Sequence, residues 1–203
     1  MFERRSRGGL RMRVQAAQAH YRAALGRAQQ ARLSLRYAVL TLALALATGP
    51  AAAEVVATPD GFTITHTRSV QASPAAAWTA LTAWGSWWSD GHSWSGKAAN
   101  ISLDSVAEGC LCERWAAGEV AHGRVLMVMP GKRLLIDAPL GPLQALPVVA
   151  RLAFTLKPAG RGTTVTIEMR VAGTAANGLG GPVDGVLREA ADRLARRIDT
   201  GRP

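Results

Sequence analysis

The segment GCLCERWAAGEVAHGRV, residues 109–125, packs two cysteines, two carboxylates, one imidazole and two guanidinium groups into the length of one β-hairpin. With Ala117-Gly118 as a two-residue tip, Glu113 falls opposite His122 and Leu111 opposite Arg124, all on one face of the ribbon. A histidine titrates near neutral pH and a neighbouring carboxylate tunes it, so the trio could orient a polar ligand group or perform general acid–base chemistry. The opposite face, with Cys110, Cys112, Ala121, Gly123, Val125 and Met127, is the more apolar one. The expectation is that this apolar face points inward and that Glu113 and His122 form a solvated pair outside.

Cys110 and Cys112 alternate along the same strand, with Cα atoms roughly 6.5 Å apart at about 3.3 Å per residue. That is near the upper limit for a disulfide. The expectation is two reduced cysteines packed as small apolar residues, with a strained redox-active pair or half of a soft-metal site as alternatives. A lone C-x-C lacks the usual zinc spacing, and no metal is expected.

A second cluster is AWGSWWSDGHSW, residues 83–94, which holds four of the six tryptophans and His92. Trp84, Trp87 and Trp88 stand at i, i+3 and i+4, so one helical turn brings all three to one face. Trp94 and His92 follow a polar turn at Asp90-Gly91. Tryptophan suits both a packed interior and an amphipathic binding wall. Trp78 and one of Trp87 and Trp88 are expected to be structural, while the other of the pair, His92 and Trp94 border a pocket. The ligand-binding candidates are thus Trp87, Trp88, His92 and Trp94, and the acid–base candidates are His92, Glu113 and His122. The chain contains no nucleophile signature with a serine, histidine and acid, no phosphate loop and no dinucleotide fingerprint, so no cofactor is expected.

The elements that must position these residues follow from periodicity. Phe62, Ile64, His66, Arg68 and Val70 alternate with Thr63, Thr65, Thr67 and Ser69, a period of two rich in β-branched residues that predicts a strand. Ser73-Pro74 supplies an N-cap and a first-turn proline for a short helix, PAAAWTALTAW. Runs such as ISLDSV, CLCERW, VAHGRVLMVM, RLLIDAP, ARLAFTLK and TTVTIEMRVAG, most of them separated by turn signals, predict an antiparallel meander. The closing PVDGVLREAADRLARRID places Val183, Val186, Leu187, Ala190, Leu194 and Ile198 at helical spacing, with Asp184 early and Arg196-Arg197 late as the helix dipole prefers. The glycines of NGLGGPVDG are expected to form a turn and hinge before it. One apolar helix face and one meander give an α+β domain of strand, short helices, curved sheet and long C-terminal helix.

The order of these elements, with the words VQASPAAAWTALT, WWSDGHSWSGKAANISL, EGCLCERW, HGRVLMVMPGKRL and LGPLQAL, resembles the START-like helix-grip superfamily, SRPBCC. Within it the chain is similar to secreted polyketide-cyclase-like and heat-shock-ATPase-activator-like domains over about residues 62–199. The resemblance implies an antiparallel curved sheet wrapped around the C-terminal helix and a cavity between them for a hydrophobic small molecule. It does not choose between carrier, receptor, cyclase and co-chaperone.

The net charge of +10 and a pI near 11.1 point first to nucleic acid or an anionic membrane. However, nine of the 24 basic and one of the 14 acidic residues lie in residues 1–53, so that 15 basic face 13 acidic residues beyond them, a net charge of only +2. No nucleic-acid partner is expected. Between Tyr37 and Ala53 a short apolar run, Gly49-Pro50 and Ala51-Ala52-Ala53 form a secretory signal pattern with cleavage expected after Ala53. The run is too short to span a bilayer comfortably, so membrane attachment is expected only through an uncleaved signal segment. The 36 residues before it exceed an ordinary n-region, which suggests a translation start nearer Leu33. The expected organisation is a basic N-region and signal peptide over 1–53 and a single START-like domain over 54–203, exported to the periplasm or beyond. The expected function is to hold an aromatic, acyl or lipid-like molecule; the alternative is a cyclase- or hydrolase-type enzyme using His92, Glu113 or His122. A cytosolic chaperone activator is disfavoured for an exported chain.

Overall fold

Eight antiparallel strands in the order β1-β2-β8-β7-β6-β5-β4-β3 form one continuous sheet. The computed structural model describes residues 54–203; the basic N-region, the signal pattern and its cleavage point lie outside the described residues. The strands are β1 (Glu54–Thr58), β2 (Gly61–Val70), β3 (Ile101–Leu103), β4 (Cys110–Trp115), β5 (Gly118–Met129), β6 (Arg133–Asp137), β7 (Val149–Ala159) and β8 (Gly162–Ala172). Two helices complete the architecture, α1 (Pro74–Thr82) and the long C-terminal α2 (Gly180–Thr200). Sheet and C-terminal helix in this arrangement are a helix-grip fold.

The first long strand behaves as its alternation dictates. Phe62, Ile64, His66 and Val70 are buried, while the threonines between them are half-buried. β1, pairing with it as a hairpin, was not foreseen: EVVAT is an exposed edge strand, and its valines bury no regular face that a period would reveal. α1 starts where Ser73 and Pro74 require, with the Ser73 hydroxyl accepting from the Ala76 N–H. Trp78, expected in the core, is only half-buried and packs against its edge; Ala77 and Leu81 are the buried residues of α1.

α2 buries Leu187, Ala190, Ala191 and Leu194, flanked by Val183, Val186 and Ile198, which is the stripe the spacing predicts. It packs on β2, β8 and α1. Its C-terminus is capped by Gly201 in the left-handed conformation, φ 74°. At the other end the helix begins at Gly180, earlier than Pro182, so part of the glycine-rich hinge is helical and Asp184 lies beyond the first turn. Rather than serving the dipole, Asp184 Oδ1 meets His66 Nε2 at 2.8 Å and ties helix to sheet. His66 is 1% exposed, and its Nδ1 has no partner among the described residues.

Candidate functional site

A cavity of about 320 Å³ lies between the inner face of the sheet and α2. The tryptophan-rich segment supplies Trp84, Trp88, His92, Ser93 and Trp94; β3, β4 and β5 supply Ile101, Leu111 and His122. The turn after β6 contributes Leu140, Gly141, Pro142 and Leu143, and the far wall is Met169 of β8 with Val183, Val186 and Leu187 of α2. Side chains of both polar clusters therefore meet at one place.

The tryptophans divide by burial and by the partner of each indole N–H. A 3-10 turn at Trp84–Ser86 gathers Trp84, Trp87 and Trp88, whose ring centroids are 4.7 to 5.8 Å apart. Trp87 is 0% exposed, donates to the Leu81 carbonyl at 3.0 Å and does not reach the cavity. Trp88 is also buried, donates to the His92 carbonyl at 3.0 Å and lines the cavity. Trp94 is 60% exposed on the cavity lining. Trp84, placed by its spacing on the same face but not among the ligand-binding candidates, is buried and forms part of the wall.

α2 holds this segment down from the side. Arg193 donates from Nε to the Trp87 carbonyl at 2.8 Å and from an η nitrogen to the Trp88 carbonyl at 2.9 Å. His92 Nε2 meets Glu189 Oε2 at 3.2 Å. Hydrogen bonding from Ser89, opposed by partial burial and assisted by the hydrogen bond and charge of His92 and the charge of Arg193, holds the Glu189 carboxyl below its ordinary range. Glu189 and Arg193 carried no signal in the sequence, where they read as the polar side of an amphipathic helix.

The Glu113–His122 pair faces inward, contrary to the expectation of a solvated outer pair. Glu113 is 0% and His122 5% exposed, and His122 Nε2 lies 2.8 Å from Glu113 Oε2. Two departures from the expected pairing change the partners around it. The hairpin tip is Ala116-Ala117, so Trp115 pairs with Gly118 and Glu113 stands opposite Val120 rather than His122. A β-bulge follows: Cys112 pairs with Ala121 but Leu111 with Gly123, which leaves His122 as an extra residue on β5. A second irregularity between Val125 and Met127 shifts the alternation again. Leu111, Glu113, His122 and Val125 are consequently buried, whereas Met127 of the face expected inside is exposed. The bent ribbon leaves no room for a side chain at residue 123, where a Cβ would lie 2.6 Å from the Asp137 carbonyl oxygen. Arg124 is not part of the cluster; it pairs with Glu108 on the exposed side.

The bulge also revises the cysteines. Cys110 and Cys112 form a disulfide, with Cα atoms 5.4 Å apart, closer than the roughly 6.5 Å of a regular strand. The irregular step between Leu111 and Cys112 supplies the distortion that an i,i+2 bridge requires.

Glu113 links the sheet to the tryptophan segment. Its carboxylate accepts the backbone N–H of Trp94 at 3.1 Å and of Ser95 at 2.6 Å, besides the hydrogen bond with His122. Burial by itself would raise this carboxyl, but hydrogen bonding from the Ser95 side chain and N–H, from His122 and from the Trp94 N–H outweighs it and holds Glu113 below the usual carboxylate range. Among the described residues no group of three or more histidine, cysteine or acidic side chains is placed to hold a metal ion.

A profile of the family described as "Polyketide cyclase / dehydrase and lipid transport" matches residues 61–199. The chain belongs to this family. Solved structures similar to this polyketide cyclase/dehydrase and lipid transport domain include the Aha1 dimer from Colwellia psychrerythraea, at 17% identity and TM-score 0.54 over 70% of this chain and 98% of that one. A conserved protein of unknown function, EF2215 from Enterococcus faecalis, matches at 13% identity and TM-score 0.53 over 73% and 78% of the two chains. Protein CV1439 from Chromobacterium violaceum matches at 19% identity and TM-score 0.51 over 70% and 99%. At these identities the likeness is one of fold. Comparison with curated proteins finds no match.

Proposed function

We propose that this family member is an exported binding domain that holds a hydrophobic small molecule, aromatic, acyl or lipid-like, between its sheet and its C-terminal helix. The observation that carries this reading is the cavity itself: about 320 Å³, walled by Trp84, Trp88, Ile101, Leu111, Leu143, Met169 and Leu187, with few polar groups among them. Cavities of this size and lining suit small apolar ligands oriented by a small number of placed polar atoms. The family description, with its mention of lipid transport, supports the same ligand class. Export is supported by the signal pattern at Tyr37–Ala53 and by the Cys110–Cys112 disulfide, a bond that persists in oxidising compartments.

The test is occupancy of the cavity. The neutral fluorophore N-phenyl-1-naphthylamine should bind the purified domain, and Val186→Trp, which fills the cavity from α2, should abolish that binding while the protein stays folded. Unchanged binding by folded Val186→Trp would remove the cavity from consideration.

A second reading, an acid–base enzyme in the same cavity, is favoured by one observation: a carboxylate-held histidine, His122, lies on the cavity wall. It requires turnover of an aromatic polyketide or ester analogue that His122→Gln abolishes.

A further inference from the structure

The cavity wall carries one polar feature built as a buried unit, and it has a direction. Glu113 is ionised at neutral pH, held so by the N–H groups of Trp94 and Ser95, and a carboxylate can only accept hydrogen bonds. The 2.8 Å contact with His122 Nε2 therefore places the imidazole proton on Nε2, donated to Glu113. In the neutral ring this leaves Nδ1 without a proton, as an acceptor. Nδ1 has no partner among the described residues, and it is not sealed inside the protein as His66 Nδ1 is. His122 borders the cavity, so the acceptor is available to whatever occupies it.

We infer that the ligand is an apolar molecule bearing a neutral hydroxyl, a phenol or an alcohol, which donates its hydrogen bond to His122 Nδ1. This rests on the cavity reading above and narrows it. Glu113 is then a positioning residue: it fixes the ring and the proton, and His122 makes the contact. The same geometry works against an apolar carboxylate bound head-first at this point. Its oxygens would meet the Nδ1 lone pair of the neutral ring, with the Glu113 charge on the ring's other nitrogen. Trp84, Trp88 and Leu111 surround the contact with apolar surface, so a ligand that left Nδ1 unanswered would bury an unpaired acceptor.

Two probes of nearly one shape test this: 2-naphthol, which has the donor, and 2-methoxynaphthalene, which lacks it. Their dissociation constants are measured by calorimetry on the wild-type protein and on His122→Gln. The glutamine amide can keep an N–H on Glu113 in place of Nε2, but its carbonyl oxygen is itself an acceptor, so His122→Phe, which keeps the ring shape and has no acceptor, is measured alongside and supplies the deciding ratio. The ratio of the two affinities, naphthol over ether, should fall about five- to tenfold from wild type to variant, the loss of one hydrogen bond. If both probes bind and the ratio is unchanged in the folded variant, the hydroxyl assignment is wrong and the apolar cavity reading stands. If neither probe binds the wild-type protein, the cavity reading fails and takes the assignment with it.

Discussion

Replacing Trp87 by alanine should unfold the domain at markedly lower temperature without any specific effect on ligand affinity. The ring is 0% exposed, packs tilted against Trp84 and edge-on against Trp88, meets Phe154 edge-on at 6.3 Å and donates its N–H to the Leu81 carbonyl. Truncating a buried tryptophan costs about 3–5 kcal/mol, transfer and cavity terms together. For a domain of this size each kcal/mol lowers the melting temperature by about 2–4 °C, so a fall of about 6–20 °C is expected. Trp94→Ala is the control from the same segment. Its ring is mostly exposed and its backbone N–H to Glu113 survives the substitution, so stability should stay within about 0.5 kcal/mol of wild type while the affinity for N-phenyl-1-naphthylamine falls. Thermal melts by circular dichroism and probe titration below the transition read both effects. Equal destabilisation by the two substitutions, or a Trp87→Ala melt indistinguishable from wild type, would refute the division of the segment into core and rim.

Other outcomes follow from the pairs described above. Because the folded Glu113 carboxyl is held below its unfolded value, its contribution to stability is present above the ordinary carboxylate range near pH 4.3 and is lost as pH falls through the depressed value; acid titration of Glu113→Gln by circular dichroism should show that part of the loss missing. Reducing the Cys110–Cys112 disulfide closes or opens only a three-residue ring, so chain entropy assigns it about 1.5 kcal/mol, and melts of wild type with and without reductant should differ by no more than a few degrees. Asp184→Ala leaves both ring nitrogens of buried His66 unpaired and should cost about 1–3 kcal/mol in denaturant unfolding, whereas Asp184→Asn, which retains a partner for Nε2, should cost less.

How much of this was legible beforehand depends on the kind of regularity involved. β2 and the buried stripe of α2 obey plain periods of two and 3.6, and their residues could be assigned from spacing alone, while the start of α1 was legible from Ser73-Pro74. The tryptophan triplet was legible for the same reason, since i, i+3 and i+4 fix a shared face. β1 was not, because a short exposed edge strand buries no pattern. Alternation put Glu113 and His122 on one face of the hairpin, as found, but their inward turn was hidden because the opposite face carries the more apolar residues; the bulge at His122 and the irregularity before Met127 then each reverse the alternation farther along β5. Arg193 and Glu189 were invisible because their roles lie in contacts with residues about a hundred positions away, and a charged residue on an amphipathic helix reads as solvated until its neighbour is known.

The bulge at His122 has a meaning that amino-acid identity does not capture. β5 carries one residue more than its partner opposite the step from Leu111 to Cys112, so the imidazole has no rung partner of its own on β4, and its face is set by its count from the hairpin tip. A substitution at residue 121 changes a side chain and leaves that count intact. Deleting residue 121 would let the ladder close with the histidine opposite Cys112, on the other face, whereas deleting residue 123 would set it opposite Leu111, still on the face of Glu113. The face that the imidazole takes is therefore encoded in the length of the strand before it as well as in the histidine itself. In comparing related sequences, a one-residue gap in this hairpin should change ligand chemistry more than many substitutions around it, even where the histidine and glutamate are both still present.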